Sequence, residues 1–148
     1  MKTTLPAFLL AALAGSTMAL QGALNSALGK IIGLLEATLV VLVIGTVTVL
    51  LLLYPFNLGQ GSLGKIPGAP WYTFLGGVLI VFITFGVVAS MPRIGVANAT
   101  TAIVAAQVAT AVVVDHFGLF GLAPVPFSYW KILGLALMAA GTRLMLLQ

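Results

Sequence analysis

The sequence predicts an all-α integral membrane protein of five transmembrane helices, half of a ten-helix inverted-repeat assembly. Three observations carry that expectation. First, the 148-residue chain is 61% hydrophobic and 5% charged, whereas a soluble domain carries about 25% charged residues, so lipid must be the solvent for most of it. Second, five apolar stretches run over Leu5–Leu28, Ile31–Tyr54, Trp71–Ala89, Ile94–Val114 and Tyr129–Leu147. Each is close to the roughly 20 helical residues that cross a hydrocarbon core of about 30 Å. Third, five crossings put the two ends of the chain on opposite sides, and the six basic residues then divide evenly. Lys2, Lys65 and Lys131 share one side; Lys30, Arg93 and Arg143 share the other. Lys and Arg in short loops set orientation by staying cytoplasmic. A tie leaves orientation undecided, which predicts a chain that inserts both ways up and pairs with an inverted copy of itself.

Composition excludes several function classes. The net charge of +4 is spread over isolated loop cations, which suits lipid headgroups and gives no footprint for nucleic acid. Cysteine is absent, so disulfides, thiolate catalysis and zinc-thiolate sites are excluded. No motif for nucleotide phosphates, no metal-spaced His/Asp/Glu group and no nucleophile beside a base is present. The expectation is a protein that is not an enzyme, with no cofactor and no metal. One transmembrane domain over residues 1–148 is expected, because the longest polar-looking stretch, Asn57–Pro70, is too short to fold alone.

The first span opens like a secretory signal, with Lys2, an apolar run and the small residues Ser16-Thr17-Met18-Ala19. Its apolar pattern continues past Ala19 to Leu28, longer than a signal core, so a retained span is expected. Gly15, Gly22 and Gly29 recur every seven residues with Ala19 and Ser26 between them, a small-residue stripe that lets another helix approach closely. The second span is dominated by Val and Leu from Thr38 to Leu53 and is expected to face lipid over much of its surface. Gly59, Gly61, Gly64, Pro67 and Pro70 mark a loop, after which Trp71-Tyr72 anchors the third span at the interface. Pro92 is expected to end that span, since it disfavours a helical Met91 and lacks an amide donor, leaving Pro92-Arg93-Ile94-Gly95 as a tight structural turn. The fourth span is the most polar, with Asn98, Thr100, Thr101, Gln107 and Thr110, and closes at Asp115-His116. Phe117–Ser128, broken by Gly118, Gly121, Pro124 and Pro126, reads as a short interfacial loop or a shallow re-entrant segment. The fifth span starts at Tyr129-Trp130-Lys131 and carries Gly134 and Gly141, again seven apart. No internal repeat is visible.

Polar side chains inside spans mark the candidate site. Gln21 and Asn25, four residues apart, point the same way, with Thr17 one turn back. Amides in hydrocarbon must be satisfied, so this row faces protein or water, either as an inter-helix clamp or as a substrate-binding wall. On the fourth span Thr100 and Gln107 lie within about 20° of each other, and Asp115 within about 80° of Gln107, making a second polar face. Asn98 and Thr101 lie elsewhere, positioned to bond neighbouring backbone. Glu36 would lie about 7–8 Å inside a helix starting at Ile31 and could then accept a proton. A later start, which Gly33 allows, would leave it in the interface at a helix N-terminus, where negative charge is stabilised. Asp115 is the other candidate for proton or ion coupling, against an interfacial role beside Lys131 or a headgroup. Arg93 reads as a headgroup anchor.

Taken together, Gln21-Gly22 with Asn25, Leu28 and Gly29, then Pro92-Arg93-Ile94-Gly95, then Gln107 with Asp115, Phe117, Gly118 and Gly121, and finally Gly134 with Gly141 resemble the YdcZ-like half-length family of the drug/metabolite transporter superfamily. The resemblance runs end to end. It implies a five-helix unit of a bacterial inner membrane exporter, acting as an antiparallel dimer or beside a sister subunit. It also implies a central cavity lined by spans one, three and four, with Gln21, Asn25 and Gln107 as substrate contacts. The chain departs from the related small multidrug resistance proteins, which have four spans and an embedded Glu in the first. The expected activity is therefore export of small metabolites or drugs by alternating access. Its rivals are a dual-topology ion channel and an accessory subunit of a larger transporter.

Overall fold

A computed structural model describes residues 4–147. The chain forms α1 (Thr4–Ile32), α2 (Leu34–Leu53), 3-10 turns at Leu63–Gly68 and Trp71–Phe74, α3 (Leu75–Ile94), α4 (Val96–Phe117), a 3-10 turn at Leu119–Gly121, and α5 (Tyr129–Met145). No strand occurs among the described residues. Four stretches are long and apolar enough to cross a membrane: Leu5–Ile32, Leu34–Leu53, Trp71–Ile94 and Val96–Phe117. With 17 residues, α5 spans about 25 Å and falls short of that measure, so four of the five expected spans are borne out by length and composition.

Two boundaries move relative to the sequence reading, and both move to a glycine. The first helix does not stop at Leu28 but runs to Ile32, and a single residue, Gly33, separates it from α2. Gly33 has φ 102 and ψ 159, a region only glycine populates readily because a Cβ would collide with the backbone. Pro92, expected to end the third span, lies inside α3, which continues to Ile94. Proline so close to a helix C-terminus costs one intrahelical hydrogen bond without forcing a break. The break comes at Gly95, with φ 84 and ψ 157. The connection is as tight as expected, but its cause is the glycine.

The two breaks share a short repeat. Ile32-Gly33 is followed at a fixed distance by Ala37-Thr38, and Ile94-Gly95 by Ala99-Thr100. In each, the alanine N–H donates to the hinge glycine carbonyl, at 3.0 Å for Ala37 and 3.1 Å for Ala99. Both alanines are buried, 0% and 1% exposed, so a larger side chain has no room at that position.

The chain divides into two compact units, one ending at Arg93 and one starting at Ile94. In the first, the small-residue stripe of α1 receives α3. A Cβ built on Gly22 would meet the Met91 thioether and come within 2.9 Å of Val87 Cγ1, and one on Gly29 would overlap Val88 Cγ1. Ser26 Oγ, between them, makes a long hydrogen bond of 3.5 Å to the Val87 carbonyl. At Gly15 a Cβ would meet nothing within 4 Å, so close approach uses the two C-terminal glycines of the stripe. In the second unit α4 ends at Gly118 in the left-handed region. The connector holds no α-helix and turns back on the end of α4, where Val125 N–H donates to the Asp115 carbonyl at 2.8 Å. The His116 ring stacks edge-on with Phe117 at 5.0 Å and with Phe127 at 5.1 Å. Ser128 caps α5, its Oγ accepting from Trp130 N–H at 3.3 Å. Ser128→Ala should therefore cost about 1 kcal/mol, seen as lost protection of the Trp130 amide in hydrogen exchange with the other helices unchanged.

Candidate membrane-embedded cleft

Among the described α-helical residues, threonine hydroxyls divide into two groups. Those of Thr17, Thr38, Thr46, Thr48, Thr101 and Thr110 donate to the carbonyl four residues back, at 2.8–2.9 Å. This back-bonding satisfies a hydroxyl inside an apolar helix without a partner from elsewhere. Thr84, Thr100 and Thr142 do not share it. Thr100 Oγ1 is buried with no hydrogen-bond partner among the described residues. Thr84, 8% exposed, lines a cleft.

That cleft has a volume of about 480 Å³ and lies within the first unit, walled by α1, α2 and α3. From α1 it takes Gln21; from α3, Ile80 and Thr84. From α2 it takes Val41, Leu42, Gly45, Thr46, Val49 and Leu50, spaced along one helical face in adjacent pairs four residues apart. Its polar groups sit near mid-helix: Thr46 in the 20-residue α2 and Thr84 in the 20-residue α3. Because Thr46 spends its proton on the Leu42 carbonyl, it can only accept, and the donors left to serve a ligand are the Gln21 amide and the Thr84 hydroxyl. None of the nine lining residues is ionisable.

Of the residues singled out in the sequence, Gln21 is on the cleft wall. Asn25, one turn on, is instead 8% exposed, on the buried stripe with Gly22, Ser26 and Gly29. Thr100 and Gln107 belong to the second unit, and Gln107 is exposed. Thr101 bonds the Ala97 carbonyl, as its position suggested. Glu36 is exposed in the first turn of α2, about 3 Å past the first helical residue. Its carboxylate curls back over Gly33, where a Cβ would meet it. The helix thus starts late, and the acid sits at a helix N-terminus. Asp115 is half-buried at the end of α4. Pro92 and Arg93 lie exposed in the last turn of α3.

Gly45, Thr46 and Thr84 escaped the sequence reading. Thr84 is one hydroxyl in a helix of Val, Phe, Ile and Gly, and nothing in its spacing separates it from a back-bonded threonine. The second span, expected to face lipid over much of its surface, supplies six of the nine lining residues. Gly45 was the available signal, since a glycine inside an apolar helix usually has a packing or binding reason.

Long apolar helices and a cleft with an amide and a hydroxyl at mid-helix define the class as a multi-span α-helical membrane protein with a candidate small-molecule site. The chain matches the family described as "Putative inner membrane exporter, YdcZ" over residues 6–144. It belongs to that family. No curated protein and no solved structure matches it.

Proposed function

We propose that the chain exports small molecules across the inner membrane by alternating access, as an antiparallel homodimer in which each copy contributes five crossings. The fifth is α5, whose 17 residues would suffice in a slightly thinned bilayer. Family membership supports the export. The observation that carries the two-copy arrangement is Gln107, an exposed amide halfway along the 22-residue α4. An amide facing lipid at that depth costs several kcal/mol, so polypeptide from beyond its own unit or a wet cavity should cover it. An inverted copy supplies both, because alternating access works by rocking two inverted halves around a site at the midplane. The even division of Lys and Arg supports insertion in both orientations. Glu36 and Asp115 are the two carboxylate side chains of the sequence through which proton coupling would run.

Adding two lysines to the 57–70 loop breaks the tie in basic residues. Reporters on both ends of the chain should then change from a mixed to a single orientation, and flux should fall with the loss of inverted pairs. Flux should recover on co-expression with a copy biased the opposite way. A single orientation in the unaltered chain, with full flux, would overturn the dimer. Transport in proteoliposomes should saturate and show counter-exchange; passive, non-saturating conduction would replace the carrier with a channel.

A further inference from the structure

The cleft between α1, α2 and α3 is closed to charge by its chemistry. Its walls are Val, Leu, Ile and Gly around one amide and two hydroxyls, and one hydroxyl is already committed to the Leu42 carbonyl. A cation entering it would lose its hydration and find no carboxylate, and neutral dipoles in so apolar a setting do not repay that loss. A bare hydrocarbon chain fails in the opposite way, because it offers nothing to the Gln21 amide or to a Thr84 hydroxyl that is not back-bonded. The fitting occupant is lipophilic over most of its surface and carries a hydrogen-bonding group that can both donate and accept. The Gln21 amide offers donors and an acceptor, and a hydroxyl offers one donor and lone pairs. A volume of about 480 Å³ lies in the range of drug-sized ligand sites.

We propose that this cleft is a binding site for uncharged lipophilic small molecules bearing an amide, hydroxyl or carbonyl, held by Gln21 and Thr84, and that it discriminates against permanent cations. The assignment deepens the exporter reading and rests on it only for the claim that the bound molecule is cargo.

Binding is tested on the full chain in nanodiscs by equilibrium dialysis, with empty nanodiscs subtracting lipid partition. Two aromatic probes are compared: benzanilide, a neutral amide, and tetraphenylphosphonium, a permanent cation. Benzanilide should bind saturably, and tetraphenylphosphonium at least tenfold more weakly. Gln21→Ala should weaken benzanilide about tenfold, the size expected for one lost hydrogen bond between uncharged groups. The near-isosteric Thr84→Val should weaken it several-fold. Gly45→Leu should abolish binding by filling the cleft. A Cβ at Gly45 meets nothing within 4 Å, so this variant is expected to keep its helical content and elution volume. Equal binding of the two probes overturns the assignment. So does benzanilide binding that Gln21→Ala and Thr84→Val leave unchanged, the behaviour of an acyl-chain groove. So does undiminished binding in a folded Gly45→Leu variant. The two readings fail separately. Saturable, Gln21-dependent binding without flux in proteoliposomes supports the site and removes the exporter. Benzanilide flux indifferent to all three substitutions removes the site and keeps the exporter.

Discussion

Gly33→Ala is expected to abolish most of the folded protein. The hinge at φ 102 and ψ 159 lies where an L side chain costs about 1–3 kcal/mol or more; the Glu36 carboxylate over it is the exposed end of a flexible side chain and can swing away, so the penalty is the backbone's. The chain's easiest relief is to let residue 33 turn helical. That would join α1 and α2 into one helix about 75 Å long, more than twice the roughly 30 Å hydrocarbon core. The reversal of direction would be lost, and with it the cleft that α2 walls. Gly95→Ala, at φ 84, meets the same kind of backbone penalty and should likewise lower the folded yield. Folded yield in detergent, by monodisperse elution, and cysteine labelling at engineered helix ends check both. Wild-type yield of Gly33→Ala would show that the hinge tolerates a side chain.

The second large effect is expected at Gly29. Any side chain there runs into Val88 Cγ1, and Val88 is completely buried with a branched, stiff side chain. Neither partner can yield, so Gly29→Ala should destabilise by about 1–3 kcal/mol and Gly29→Leu by more. Gly22→Ala meets the Met91 thioether, which can swing aside, and Val87 Cγ1 at 2.9 Å, which is stiffer; it should cost about 1–2 kcal/mol, less than Gly29→Ala. Gly15→Ala, with open space around it, should be neutral or mildly stabilising through helix propensity. Equilibrium unfolding in mixed micelles would rank the three. Equal losses at all three positions would show that close helix approach is not what the stripe provides.

Much of the fold was legible because a membrane helix announces itself through length and hydropathy, and four spans lie within a few residues of where those features put them. Boundaries were harder. Pro92 is a visible helix-breaker in sequence, yet proline is tolerated near a C-terminus, and the actual breaks depend on φ values at Gly33 and Gly95 that no composition reveals. The Ile-Gly and Ala-Thr pairs of the two hinges escaped notice because four matching residues over seven are too few to stand out in so apolar a chain. Their meaning appears only when both alanines prove buried and bonded to the hinge carbonyls.

The site was legible where a residue was costly and illegible where it was cheap. Gln21 stood out because an amide in hydrocarbon demands an explanation, and it lines the cleft. Thr84 did not, since a helical threonine usually satisfies itself, as Thr38 and Thr46 do; its importance lies in failing to. The same economy hid the role of α2, whose lining residues are Val, Leu and Gly and look from sequence like any lipid-facing surface.

The one-residue reversal at Gly33 also bears on how the protein is made. A translocon handling α1 and α2 has no hydrophilic connector to thread across between them, so the pair can leave sideways into the bilayer as one package. Lys30, in the last turn of α1, is then the one cation carried at the hinge of that package, and the next to leave the ribosome, Lys65, follows both helices in the chain.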